Sequence, residues 1–139
     1  MGVGNTLRGD DGFGPALVER LAGRTRAVCI DAGTTPENQT APVLRARPDA
    51  VIVLDAADFG GEPGELSLIE AGRISECGGA TSHSMSLRLL ADYVTGETGA
   101  RMALLAVQPA DTRFGKPLCA RVAEALDAAA SAILEALEG

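Results

Sequence analysis

The chain alternates between two kinds of apolar pattern. Residues 26–32 (RAVCIDA) and 50–57 (AVIVLDAA) are short, nearly continuous apolar runs, the first closing on Asp31 and Gly33 and the second on Asp55 and Asp58. Residues 101–107 form a third, stopped by Gln108-Pro109. Such runs predict strands covered on both faces, as in a parallel sheet. Residues 64–69 (GELSLI) alternate instead and follow Gly60-Gly61-Glu62-Pro63, which predicts an antiparallel strand at the sheet edge. Elsewhere the spacing is helical. Pro15, Leu17, Val18 and Leu21 predict a helix over 14–21, ended by Gly23. Thr35-Pro36-Glu37-Asn38 reads as a helix entry with only Val43 and Leu44 behind it. Met85, Leu89, Leu90, Tyr93 and Val94 predict one apolar helical face ending near Gly96. Val122, Leu126, Ala129, Ile133, Leu134 and Leu137 predict a C-terminal helix within 117–137.

The resulting order is α-β-α-β-β-α-β-α. It predicts a three-layer α/β/α sandwich with a mainly parallel sheet and one antiparallel edge strand, whose ligands sit at the carboxyl ends of the strands. Asp31, Asp55 and Asp58 fall at such ends. One element is missing from the pattern: chains of this architecture open with an apolar strand, yet here the first glycine turn begins at Gly2. An inner strand cannot be absent without exposing unpaired edges, so the expectation is a start several residues upstream or a truncated chain.

Composition narrows the function classes. The 139 residues, 46% of them hydrophobic, suit one domain spanning 1–139. The net charge of -7, with twelve basic residues scattered among nineteen acids, argues against a nucleic-acid surface, which needs clustered Lys and Arg. Cys29, Cys77 and Cys119 are odd in number and lack metal-type spacing, so they read as thiols of a reducing compartment, the cytoplasm by default. No secretory leader and no membrane-spanning run is visible, which predicts no membrane insertion.

The chemistry-bearing residues cluster in the glycine-rich opening, G-V-G-N-T-L-R-G-D-D-G-F-G-P at 2–15. It fails as a nucleotide loop. Leu7 stands where the third glycine of G-x-G-x-x-G belongs, and Asp10 with Asp11 would repel a pyrophosphate. The bland reading is a tight strand-to-helix turn whose aspartates only cap the helix. His83 is the single histidine, preceded by small polar residues at the mouth of a helix. Asp10 and Asp58 read as cap and supporting groups, and Arg8 either anchors a substrate carboxylate or sits in solvent. Glu37 and Asn38 either contact substrate or shape a local turn.

Taken together, that opening segment, D-A-G-T-T-P-E-N at 31–38, V-L-D-A-A-D-F-G-G-E-P-G-E at 53–65, T-S-H-S-M-S-L at 81–87 and V-Q-P at 107–109 resemble the hydrogenase maturation endopeptidases. Within that family the likeness is strongest to the members that process formate-hydrogenlyase-type large subunits. It spans nearly the whole chain, with five segments in the family's order. The resemblance implies a metal-binding trio of Asp11, Asp55 and His83. Two carboxylates and an imidazole suit a borderline divalent metal such as nickel or zinc and leave coordination positions open. The implied reaction is removal of the C-terminal extension of a nickel-loaded nickel-iron hydrogenase large-subunit precursor. Nickel then arrives with the substrate and is no permanent cofactor. Either the metal polarises the carbonyl while Asp11 or Asp55 takes the water's proton, or the two aspartates share a proton as a carboxylate dyad. The alternative to an enzyme is a non-catalytic metal- or partner-binding module on the same fold.

Overall fold

The computed structural model describes residues 1–76 and 83–138. Cys77 and most of the small polar stretch before the third long helix lie outside the described residues. In chain order the elements are β1 (Gly2–Val3), α1 (Phe13–Leu21), β2 (Asp31–Gly33), α2 (Thr40–Ala46), β3 (Ala50–Ala56), β4 (Leu66–Glu70), α3 (Ser84–Thr98), β5 (Arg101–Val107) and α4 (Ala120–Glu138). Short 3-10 turns lie at Gly9–Gly12, Pro36–Gln39 and Ala71–Glu76.

The five strands form one sheet in the order β2-β1-β3-β5-β4. β1 runs parallel to both β2 and β3, and β3 is parallel to β5. Only β4, on the edge, is antiparallel, pairing Leu66 with Val107 through Glu70 with Ala103. β3 and β5 carry the longest ladder, seven pairs from Ala50/Arg101 to Ala56/Val107. Their apolar runs follow from burial on both faces. Val53 and Leu104 join a core with Val43 of α2 and Leu87, Leu90 and Val94 of α3. Leu54 and Val107 join a second core with Phe13 and Leu17 of α1 and Val122 and Leu126 of α4. Successive strand residues therefore serve opposite layers, which leaves no position for polar alternation.

The first strand, expected to be missing, is present in short form. Gly2–Val3 occupies the inner place between β2 and β3. The Met1 amino group donates to the Ile52 carbonyl at 2.8 Å, Leu54 N–H donates to the Met1 carbonyl at 2.8 Å, and Gly2 N–H donates to the Ile30 carbonyl at 2.8 Å. Pairing is a main-chain property, so a few residues bridge both neighbours where an apolar run of ordinary strand length was sought. The second strand is short as well: β2 is Asp31–Gly33, which overlaps the expected 26–32 run only at Asp31 and Ala32. An apolar cavity of about 370 Å³ lies beside it, walled by Val28, Ile30, Ala50 and Ile52 among others.

The expected single apolar face of α3 is also corrected. Leu87, Leu90, Ala91 and Val94 are buried, whereas Met85, Leu89 and Tyr93 are exposed. Both sets satisfy helical spacing, and only the position of the sheet decides between them.

Helix α1 presses against the sheet through Gly14. A β-carbon there would collide with the carbonyl oxygens of Leu54 and Val3. Gly14→Ala is expected to lower the thermal midpoint by at least about 5 °C, since overpacking of this kind costs roughly 1–3 kcal/mol. Thermal unfolding followed by circular dichroism checks this, and a midpoint within about 1 °C of the parent would contradict it.

Candidate active site

The strands β1, β3 and β5 end together, and their outgoing loops enclose a cleft of about 810 Å³. Asp55, the penultimate residue of β3 and the neighbour of Ala56 in the cleft wall, is fully buried. His83 stands immediately before α3, in its N-cap position, and is also buried. Asp11 lies half-buried in the turn between β1 and α1 and lines the cleft. One ligand atom from each of the three lies within 4.8 Å of the others. Sequence separation is large, yet the topology delivers all three to one point.

Each member is held by local chemistry. Asp11 Oδ2 accepts the Asn5 N–H at 2.8 Å. Gly4 makes that approach feasible: its φ of 139° disfavours other residues, and a β-carbon would collide with the Asp11 carbonyl. His83 Nδ1 donates to Asp55 Oδ2 at 3.3 Å. The imidazole pKa is raised, first by that hydrogen bond, against the lowering effect of burial, and further by the negative charges of Asp55, Asp11 and Glu37.

The supporting residues differ from the simplest expectations. Asp10 does not cap α1, whose N-cap is Gly12, without a side-chain cap bond. Instead its fully buried carboxylate accepts the N–H groups of Ala110 at 2.8 Å and Asp111 at 3.0 Å on one oxygen, and of Cys119 at 2.7 Å on the other. It ties the glycine loop to the loop after β5. Asp58 lines the cleft, and its Oδ1 accepts the Gly60 N–H at 3.0 Å and the Gln108 Nε2–H at 3.1 Å. The Gly60 and Gln108 donors hold its carboxyl below the usual range. Arg8 lines the cleft and is exposed. Glu37 is exposed on the turn at Pro36–Gln39 and acts on His83 through its charge. Asn38 has a turn role, its N–H donating to the Thr35 carbonyl at 3.0 Å. Asp31 is not brought to the site: it begins β2 and its Oδ1 accepts the Gly33 N–H at 3.0 Å.

The sequence showed Gln108 as a strand stop and within the V-Q-P segment, with no role of its own. In the structure it is buried, and its Oε1 accepts the N–H groups of Phe59 at 2.9 Å and Gly61 at 3.1 Å. It thereby fixes the whole loop that follows Asp55. The available signal was a polar amide directly after an unbroken apolar strand. On the far side, Arg113 pairs with Asp111 at 2.9 Å and, chiefly by its side-chain hydrogen bonds, holds that carboxyl down to about 2.

The arrangement offers two carboxylate oxygens and an imidazole nitrogen beside one cleft, a donor set that fits nickel or zinc with open positions. It also offers Asp11, open to the cleft, as a proton acceptor for an attacking water. No helix among the described residues is long and apolar enough to cross a membrane.

Comparison with known proteins agrees with this geometry. The family model described as hydrogenase maturation protease matches residues 15–136. The hydrogenase 3 maturation protease of Escherichia coli (strain K12) is 34% identical over 139 residues, covering 99% of this chain and 86% of that protein. The crystal structure of the NiFe hydrogenase maturation protease HycI from Thermococcus kodakarensis KOD1 superposes with a TM-score of 0.89 at 30% identity, over 99% of this chain and 90% of that one. The solution structure of the endopeptidase HycI from Escherichia coli gives a TM-score of 0.84 at 33% identity, over 99% and 88%. These relatives are proteases by name, and none favours a non-catalytic binding module. With a family match over most of its length and a cleft that places two acids beside a histidine, the chain belongs to the hydrogenase maturation proteases and is an endopeptidase.

Proposed function

We propose that this endopeptidase removes the C-terminal extension of a nickel-iron hydrogenase large-subunit precursor in the cytosol, and that it cuts only when the precursor carries nickel. The observation that carries the reading is the convergence of Asp11, Asp55 and His83 within 4.8 Å. These residues hold the nickel of the incoming substrate, and a divalent ion placed there supplies Lewis-acid polarisation of a carbonyl. The free thiols of Cys29 and Cys119 suit a reducing compartment.

The chain's own groups divide the remaining work. Asp11 faces the cleft, so it takes the proton of the attacking water. Asp55 is buried and engaged with His83, which suits it to orient the imidazole and to compensate its charge. That engagement counts against a proton shared between the two aspartates, because Asp55 Oδ2 is already taken up by the hydrogen bond from the imidazole. Asp58 and Gln108 keep the loop after β3 in place along the cleft, and Arg8 is positioned for an acidic group of the substrate.

The test is to incubate the protein with its large-subunit precursor, nickel-loaded or nickel-free, and weigh the products. Loss of a C-terminal peptide from the nickel-loaded form alone is expected. Equal cutting of both forms would refute the nickel check, and no cutting of either would refute the reading. Asp11→Ala, Asp55→Ala and His83→Ala should each reduce the rate by roughly 100-fold or more with the fold retained.

The raised His83 pKa adds a pH dependence. A metal needs the neutral imidazole, so nickel(II) affinity should fall as pH is lowered through that raised pKa. In the metal-free protein the sign is opposite. The stabilisation from protonated His83 is fully present below its ordinary pKa of 6.5 and is lost as pH rises through the folded value. Calorimetric nickel titration and thermal unfolding of the parent and His83→Asn, carried from below the ordinary value of 6.5 upward, read both effects. A pH-independent nickel affinity would contradict the assignment of His83 as a ligand.

A further inference from the structure

We infer that the protease recognises the folded body of its precursor through two apolar rims that flank the cleft, one from each helical layer. The inference rests on the precursor-cleaving reading above and adds where the substrate protein docks. On the α2/α3 side, Met85 is 79% exposed, Leu89 61% and Tyr93 51%. Spacing of four residues places them in one stripe of α3, and at 1.5 Å per residue it extends about 12 Å from a point two residues past His83. On the α1/α4 side, Leu7 is 59% exposed and Phe114 70%. Their loops are joined by the Gly115 N–H, which donates to the Leu7 carbonyl at 2.8 Å. Leu7 precedes Arg8, and Phe114 follows Thr112 by two residues; both Arg8 and Thr112 line the cleft.

Isolated surface leucines need no explanation, but these five large apolar side chains stand on the elements that carry the cleft. Both rims are continuous with the surface that the substrate must already touch. That continuity identifies the occupant as the substrate protein itself. A cleft of about 810 Å³ takes a short extended segment, whereas a specific protein pair covers about 800 Å² on each partner. The rims supply the missing contact area. The matching surface on the precursor is apolar and borders the root of its C-terminal extension. Met, Tyr and Phe, three of the residue types in these rims, are enriched at protein–protein interfaces relative to the rest of the surface.

The experiment compares the parent with the triple variant M85S/L89S/Y93S, the double variant L7S/F114S, and the apolar replacement M85L/L89M/Y93F. All sites are exposed, and circular dichroism with thermal unfolding confirms that the fold is kept. Affinity is measured for nickel-free precursor, which stays uncut under the proposed function. KM and kcat are measured on nickel-loaded precursor. The serine variants are expected to weaken Kd and raise KM by about tenfold or more, with the loss falling on KM more than kcat, and the apolar replacement to restore both. No measurable binding by the parent overturns the inference, as do Kd and KM within about twofold in both serine variants. A change confined to self-association of the protease, with substrate affinity unaltered, overturns it too and assigns the rims to a second copy. Failure of the parent to cut nickel-loaded precursor counts against the proposed function alone, because docking is still read from Kd.

Discussion

The arrangement of the site depends on one constraint, the burial of a carboxylate at the end of the central sheet. Asp55 is wholly removed from solvent at the penultimate position of β3. A carboxylate in such a place costs several kcal/mol unless it is paired, so a cationic or hydrogen-donating group must be delivered to it. His83 is that group, and it can reach Asp55 only because α3 begins level with the strand end. The connection from β4 into α3 and back through β5 is therefore constrained at both ends. Leu87, Leu90 and Val94 fix the rotation of α3 on the sheet, and that rotation places its N-terminus over Asp55.

Asp11 then changes the character of the pair. Two carboxylates beside one imidazolium leave an excess of negative charge within a few ångströms, which raises the imidazole pKa and favours a cation in the cleft. Holding a second acid so near demands rigid loops, and the protein builds them from main-chain hydrogen bonds to polar side chains. Asp10 satisfies three N–H groups of the loop and segment that follow β5. Gln108 satisfies two N–H groups of the loop after β3 and also donates to Asp58. These ties run between loops from different strands, so the cleft walls are braced against each other. A buried, fully bonded carboxylate such as Asp10 is a strong brace because breaking it would leave a charge without donors in the interior.

What the sequence made legible follows from this physics. The strands β3 and β5 were readable because burial on both faces imposes an unbroken apolar run, and α1 and α4 because one-sided burial imposes a period of 3.6. The trio Asp11, Asp55 and His83 was readable through resemblance, since nothing in their spacing of forty-four and twenty-eight residues, about the size of the intervening βα units, fixes a contact. The short β1 was missed because Gly2 and Val3, though paired and buried, are too few to show as an apolar run. The face of α3 was misread for another reason: Met85, Leu89 and Tyr93 are as apolar as the residues that face the sheet. Asp10 and Gln108 act on main-chain N–H groups, and those look alike in every sequence.

The donor set bears on how a nickel check can work at all. A site that held nickel more tightly than the precursor's own site would strip the ion from it, and one with no affinity would read nothing. Two carboxylates and one imidazole, without thiolate, lie between these limits for a borderline metal. Among the described residues the free cysteines are kept apart from the trio: Cys29 borders the apolar cavity, and Cys119 meets Asp10 only through its main-chain N–H. Three ligands also leave positions open, so that under the proposed check an ion could keep bonds to its carrier while touching this cleft. Affinity for the precursor must then come mostly from elsewhere, because a weak metal contact cannot by itself hold a folded protein in register. Under the proposed nickel check, separating the two tasks would let nickel decide whether the bond is cut without deciding whether the precursor is bound.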